Sequence, residues 1–225
     1  MRDFLILKLQ GPMQAWGEHT FEGLRPSANF PTRSAMLGLL GACLGIRRTD
    51  RERLQQLANS VGMAVRMDGR SVAPQDGKLR PLRVVKMTDY HTVQDAREDY
   101  MGLKSHKTIQ TWREYLLDAG FTVAVWNHGG AEVTLDALEA AVKKPVFTPF
   151  LGRRACPPAR PLFEARLSAN SPAMALKEVS PFAGTIYSEE GQGRMIRVRD
   201  VPLIHQPRQF AGRNLFVHGG EHVPE

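Results

Sequence analysis

Cysteine is scarce in this chain. Cys43 and Cys156 are the whole complement, they lack the spacing of metal ligands, and two cysteines do not make a disulfide framework. Both are expected as reduced thiols, as in a cytoplasmic protein, with Cys43 in the core. No apolar run approaches the roughly 20 residues of a membrane span. The apolar stretch of MRDFLILKLQG is too short for a signal peptide. HExxH and CxxC motifs are absent, which argues against a metal site, and no Walker loop or GxSxG elbow occurs. Gly11 and Gly17 have the wrong spacing for a dinucleotide fingerprint, so no cofactor is implied. Acidic residues are also in deficit, with 23 Asp+Glu against 30 Lys+Arg and a formal net charge of +7. A balance of this kind favours a polyanionic partner, and without a membrane anchor that partner is a nucleic acid. The basic residues cluster at Arg47–Arg53, Lys78–Lys86, Arg97–Arg113 and Arg153–Arg160, as a binding surface would require.

The stretch from Gln10 to Ile46 is the most informative. Phe4–Leu9 reads as a buried strand stopped by Gly11-Pro12. A long loop then holds Trp16, Phe21, Arg25, Phe30 and Arg33, and loops of that length between packed elements usually carry function. Thr32 is placed to cap a helix running to Leu44 and ended by Gly45. Its glycines each lower helicity by about 1 kcal/mol against alanine, so close packing on a sheet is expected. Asp50 starts a second helix with Leu54 and Leu57 on one face. Further strands are expected at Val61–Met67, Val84–Tyr90, Phe121–Trp126, Phe163–Ala169 and Met195–Val201, with helices at Thr134–Lys143 and Ala173–Glu178. Asp68–Arg80 reads as a loop or hairpin tip, and His91–Trp112 as an extended excursion with a strand return at Thr108–Trp112. Phe147–Leu162 reads as a shaped loop, and Val201–Glu225, with His205, His218 and His222, as a trailing segment. The order strand, helix, strand, strand, helix suggests an α+β, ferredoxin-like sheet in one domain.

Arginines beside aromatics at a strand end suit a nucleic-acid backbone and its bases. Gly152-Arg153-Arg154 is the best phosphate candidate, because glycine lets the backbone approach and guanidinium groups grip phosphate bidentately. Trp16, Phe30, Trp112 and Phe150 are candidates for base stacking, although a single aromatic is more often core than platform. Lys104, Lys107 and Arg113 would make the excursion a basic finger. Tyr90, His91, Lys104 and His106 leave two readings open. They can supply the acid, base and cation of metal-independent RNA cleavage, or hold phosphates without cutting.

LQGPMQAWG, TFEGLRP, FPTRSAMLGLLGACLGI, DYHTV, AREDYMGLKSHKTIQTWREYL and TPFLGRRACP, taken together and in order, resemble the Cas-five-type subunits of the type I-E CRISPR surveillance complex, Cascade. The resemblance runs from Phe4 to about Phe216. It implies a ferredoxin-like, RRM-related palm with a protruding thumb at about 90–112, within a single domain over 1–225. It further implies a non-catalytic RNA-binding subunit that grips the 5′ handle of the CRISPR RNA and caps the backbone filament. The implied partners are the CRISPR RNA, the backbone subunit met by the thumb, the large subunit that reads the protospacer-adjacent motif, and target DNA in the assembled complex. The residues it places at RNA are Gln14, Trp16, Arg25, Arg33, Ser34, Tyr90, Lys104, Ser105, His106, Thr108, Gln110, Arg113, Gly152, Arg153 and Arg154. In Cas-five-type proteins of another subtype a Tyr–His–Lys set cuts the repeat. Tyr90, His91 and Lys104 keep those residue types, which leaves an endoribonuclease as the alternative.

Overall fold

The computed structural model describes residues 1–18, 23–72, 80–82, 84–94, 108–206 and 209–219, without the side chains of 70–72 and 80–82. The first strand, β1 (Arg2–Gln10), is buried from Phe4 to Leu9 because both of its faces are covered. Four two-residue strands follow in the arginine-bearing segment: β2 (Met13–Gln14), β3 (Trp16–Gly17), β4 (Leu24–Arg25) and β5 (Ser27–Ala28). The helices α1 (Arg33–Cys43) and α2 (Arg51–Ser60) come next. Thr32 Oγ1 accepts the Ala35 N–H at 3.3 Å and Asp50 Oδ1 the Arg53 N–H at 3.2 Å, so both caps fall where local chemistry puts them. Gly45 ends α1 with φ at +70°, as expected. The expected reason for the helix glycines needs correcting. Gly41 faces Leu54 and Leu57 of α2, not the sheet, and Gly38 faces open space.

The chain continues through β6 (Val61–Asp68), a small ladder of β7 (Arg70–Val72) and β8 (Arg80–Leu82), and the long strands β9 (Val85–Val93) and β10 (Ile109–Leu117). It closes with β11 (Gly120–Asn127), α3 (Leu135–Lys143), β12 (Phe163–Ala169), α4 (Pro172–Lys177), β13 (Gly184–Ser188), β14 (Met195–Pro202) and β15 (Phe210–His218). Seven strands form one antiparallel sheet in the order β12-β1-β11-β6-β13-β15-β14. Helices α1 and α2 link β1 to β6, and α3 links β11 to β12, so these four strands run β-α-β-β-α-β in the chain. The architecture is α+β.

Two strands contradict the reading of the C-terminal third. Gly184–Ser188 was not expected as an element, and Phe210–His218 pairs with both β13 and β14 where a trailing segment was expected. His218 consequently ends an internal strand, opposite Ile186 of β13, with its Nε2 buried, while His222 lies outside the described residues. The excursion is also more regular than expected. Its first arm extends to Val93, and its return runs on to Leu117, not Trp112.

Apolar side chains fill both sides of the sheet. Leu5, Leu7 and Leu9 of β1 join Met36, Leu40, Leu57 and Leu138 of α1, α2 and α3, with Cys43 among them. Phe4 and Ile6 point the other way, to Trp126, Ala175 and Leu176. That second side also holds a buried ionic cluster. Asp68 Oδ1 accepts from Arg66 Nε at 2.7 Å, and Asp68 Oδ2 lies 3.2 Å from Lys8 Nζ. Thr122 Oγ1 lies within 2.8 Å of the Asp68 carboxylate and of Arg66, and 2.6 Å from Lys8. Burial pushes the Lys8 ammonium below the usual lysine range, against the pull of Asp68.

Candidate nucleic-acid interface

Strands β9 and β10 form an antiparallel hairpin in register from Val93↔Ile109 to Val85↔Leu117. The free edge of β10 takes β2 antiparallel at Leu116↔Gln14 and β4 parallel at Trp112↔Leu24 and Arg113↔Arg25. Successive strand residues point to opposite faces, so this small sheet separates two chemistries. One face carries Arg25, His91, Arg113 and Tyr115. The other carries Leu24, Tyr90 and Trp112, all about half exposed, with the two rings 5.4 Å apart.

The Gly152–Arg154 turn lies on the basic face. Gly152 has φ +87°, and a Cβ there would fall 1.7 Å from the carbonyl oxygen of Ala15. Glycine is therefore required for both conformation and space. Ala15 N–H donates to Leu151 O at 3.1 Å and Leu151 N–H to Cys156 O at 2.7 Å, which ties the turn to the β2–β3 segment. The Arg153 guanidinium lies 4.7 Å from the Tyr115 ring centroid and donates to Glu114 O at 3.0 Å and Arg25 O at 2.9 Å. It thereby joins β4, β10 and the turn. Arg154, beside it, is exposed. Arg25, Arg113, Arg153 and Arg154 line an open hollow of about 420 Å³ together with His91 and Tyr115. The carboxylate beside it, Asp89, is engaged by His91. Four guanidinium groups around one concavity make a site for phosphate oxygens. Gly152→Ala is expected to lower stability by about 1–3 kcal/mol through the left-handed backbone alone, and further through the clash with Ala15. A thermal melt checks it, with a drop of roughly 5 °C or more expected.

Of the residues singled out from the sequence, the structure brings Arg25, Arg113, Arg153 and Arg154 together. It does not bring Gln14, Trp16 or Arg33 to them. Gln14 is buried and donates to Ala119 O at 2.6 Å. Trp16 is buried edge-on to Phe121, and Phe30 is buried in a stack on Tyr187 at 4.2 Å. Arg33 donates to Val61 O at 3.0 Å and Ala58 O at 2.9 Å and pairs with Glu189, so its charge is spent inside the fold. Ser34 is half-buried beside Thr32, in a separate groove. Tyr90, Thr108 and Gln110 are exposed along the hairpin, on or beyond the side away from the hollow. Lys104, Ser105, His106 and Lys107 lie outside the described residues. Tyr115 was missed, although its alternation with Arg113 places it on the same face.

The sequence matches the model of the CRISPR-associated protein (Cas_Cas5) family over residues 4–216. The chain belongs to that family. A curated protein of Escherichia coli (strain K12), the CRISPR system Cascade subunit CasD, is 54% identical over 223 residues, covering 98% of this chain and 97% of the relative. Among solved structures, a chain of a CRISPR RNA-guided surveillance complex aligns with a TM-score of 0.71 and 29% identity, over 96% of this Cas_Cas5 chain and 89% of the other. A second, a crystal structure of a Cas protein, aligns with a TM-score of 0.62 and 28% identity, over 96% and 93%. Among the described residues no helix of this Cas_Cas5 protein is long and apolar enough to cross a membrane.

Proposed function

We propose that this Cas_Cas5 chain is a non-catalytic RNA-binding subunit of a type I-E CRISPR Cascade surveillance complex, acting in antiviral defence in the cytoplasm. It grips the 5′ handle of the CRISPR RNA and caps the backbone filament. The observation that carries this reading is the arginine hollow, whose guanidinium groups suit backbone phosphates. The likeness to a Cascade subunit and to a CRISPR RNA-guided complex supports this reading of the RNA and of the assembly. In this reading the β12-β1-β11-β6 unit is a ferredoxin-like, RRM-related palm. The β9–β10 hairpin is the base of a thumb, spanning about 90–112, that meets the adjoining backbone subunit. The large subunit that reads the protospacer-adjacent motif and the target DNA are neighbours in the assembled complex.

The alternative, a metal-independent endoribonuclease, needs an acid and a base on one phosphate. Tyr90 and His91 leave β9 on opposite faces, and Tyr115, which shares the His91 face, is buried under Arg153. That separation favours binding without cutting. A denaturing gel of labelled CRISPR repeat RNA, incubated with the purified protein in chelator, tests it beside a filter-retention control. Retained, intact RNA is expected. A discrete cut lost in His91→Ala would overturn the non-catalytic reading, and failure of the protein to retain RNA would overturn the binding one.

A further inference from the structure

Three of the four arginines of the hollow stand on multiply bonded backbone. Arg113 belongs to a nine-residue strand paired along its whole length, and Arg153 and Arg154 follow Gly152 in a turn closed by its own hydrogen bonds. Arg25 is different. Its strand, β4, has two residues, set against Trp112 and Arg113. Pro26 comes next, and proline has no N–H with which to continue the ladder. The first donor beyond it is the Ser27 N–H, which donates to Glu114 Oε2 at 3.1 Å. At the other end the Trp112 N–H donates to Gly23 O at 3.0 Å. Strand β10 therefore holds the segment from Gly23 to Ser27 at both ends, with Arg25 between.

The Glu114 side chain leaves β10 on the face of Trp112, away from the hollow, and is not among the residues that line it. Its ion-pair neighbour, Lys86, stands off at 3.7 Å. Ser27, fully buried, is a junction in its own right: its Oγ accepts the Trp16 N–H at 2.9 Å and donates to Ala28 O at 3.1 Å. The Glu114 carbonyl meanwhile accepts from Arg153 at 3.0 Å, and Arg153 also donates to Arg25 O at 2.9 Å. Resting on the RNA-binding reading above, we infer that Glu114 is a positioning residue for the hollow. Its carboxylate fixes Ser27 and thereby sets where Arg25 stands among the other guanidinium groups. The inference carries a sign. By charge alone, removing a carboxylate beside a phosphate site strengthens phosphate binding. By position, removing this one weakens it.

The test titrates labelled CRISPR repeat RNA, at several salt concentrations, against full chains of wild type, Glu114→Ala, Glu114→Asp, Glu114→Gln, Arg25→Ala and the Arg25→Ala, Glu114→Ala double variant. Glu114→Ala and Glu114→Asp are expected to bind about fivefold more weakly, the size of one charge-assisted contact. Their salt slope should be shallower by about 0.7, one phosphate on a single strand. The aspartate keeps the charge and withdraws the acceptor by one methylene, so it carries the test even if the alanine variant fails to fold. Glu114→Gln loses the charge but keeps an acceptor oxygen at the same reach, and should restore affinity and slope. In the Arg25→Ala background Glu114→Ala should cost nothing more, because the residue acts through Arg25. Glu114→Asp binding as tightly as wild type, no rescue by glutamine, or a loss that adds in full to that of Arg25→Ala overturns this inference. It falls as well if Arg25→Ala itself binds like wild type. Arg153→Ala plus Arg154→Ala, run beside it, then decides the RNA-binding reading, which stands if that variant is weakened and fails if it is not.

Discussion

An Arg153→Ala, Arg154→Ala double variant is expected to bind CRISPR RNA at least about tenfold more weakly than wild type, with a shallower salt dependence. The two residues contribute differently. Arg154 is exposed at the hollow and offers its guanidinium to solvent. Losing it removes a phosphate contact, about 0.7 of salt slope on a single strand, and should leave stability unchanged. Arg153 is half-buried and already donates to the carbonyls of Glu114 and Arg25 while covering Tyr115. Its loss frees β4 from the turn and lets Arg25 drift, so the single variant should show lower affinity together with a lower melting temperature. Lysine at 153 would restore the charge without the two-pronged donation, so rescue of affinity should be partial. Titrations at several salt concentrations with a folded variant read this out. Unchanged affinity and slope would remove the hollow from the RNA path.

Asp68→Ala is expected to destabilise the fold by about 3–5 kcal/mol, the range for removing one partner of a buried ion pair. The side chains of Lys8, Arg66 and Asp68 are 6%, 1% and 8% exposed, so the variant leaves two cations in the core with no carboxylate between them. Arg66 keeps its bonds to Val179 O and Thr122, but its charge is unanswered. The pH dependence has a definite sign. Burial already holds the Lys8 pKa below its unfolded value, so the folded state binds fewer protons than the unfolded one as pH rises, and stability increases with pH. Without Asp68 the depression deepens, and the deficit against wild type should narrow as pH rises toward the normal lysine range. Urea unfolding at two pH values checks both the size and the trend. A midpoint equal to that of wild type would show that the cluster adds nothing to stability.

Local chemistry was legible and long-range pairing was not. Thr32, Asp50 and Thr134 announce their helices because an N-cap bonds within three residues of itself. Gly184–Ser188 is five residues long, and its partners, Val61–Asp68 far earlier and Phe210–His218 beyond β14, are both distant in the chain, so no adjoining hairpin marks it as sheet. Phe210–His218 does alternate, with Leu215 and Val217 inward, but flanking proline and glycine obscure the pattern. The same limit applies to the candidate site. Arg25 and Arg33 look alike in sequence, eight residues apart among aromatics. Arg25 reaches the surface at a strand edge, whereas Arg33 enters the fold because Glu189, more than 150 residues away, waits there. Residue type told which groups can hold phosphate. Only the packing of β10 against the Gly152 turn decided which of them do so together.

The two-sided hairpin constrains how this chain can vary in length. Adding or removing one residue between Ile109 and Leu117 would exchange the faces of every side chain beyond it. Arg113 and Tyr115 would trade places with Trp112 and Glu114, and the hollow would lose one of its four guanidinium groups while the opposite surface gained it. Insertions there should be tolerated only in pairs, or matched by a compensating change in Val85–Val93. The Phe147–Leu162 connection is under similar discipline, since Gly152 must meet the Ala15 carbonyl. Length, and not composition alone, is thus the heritable quantity that keeps the arginines on one side.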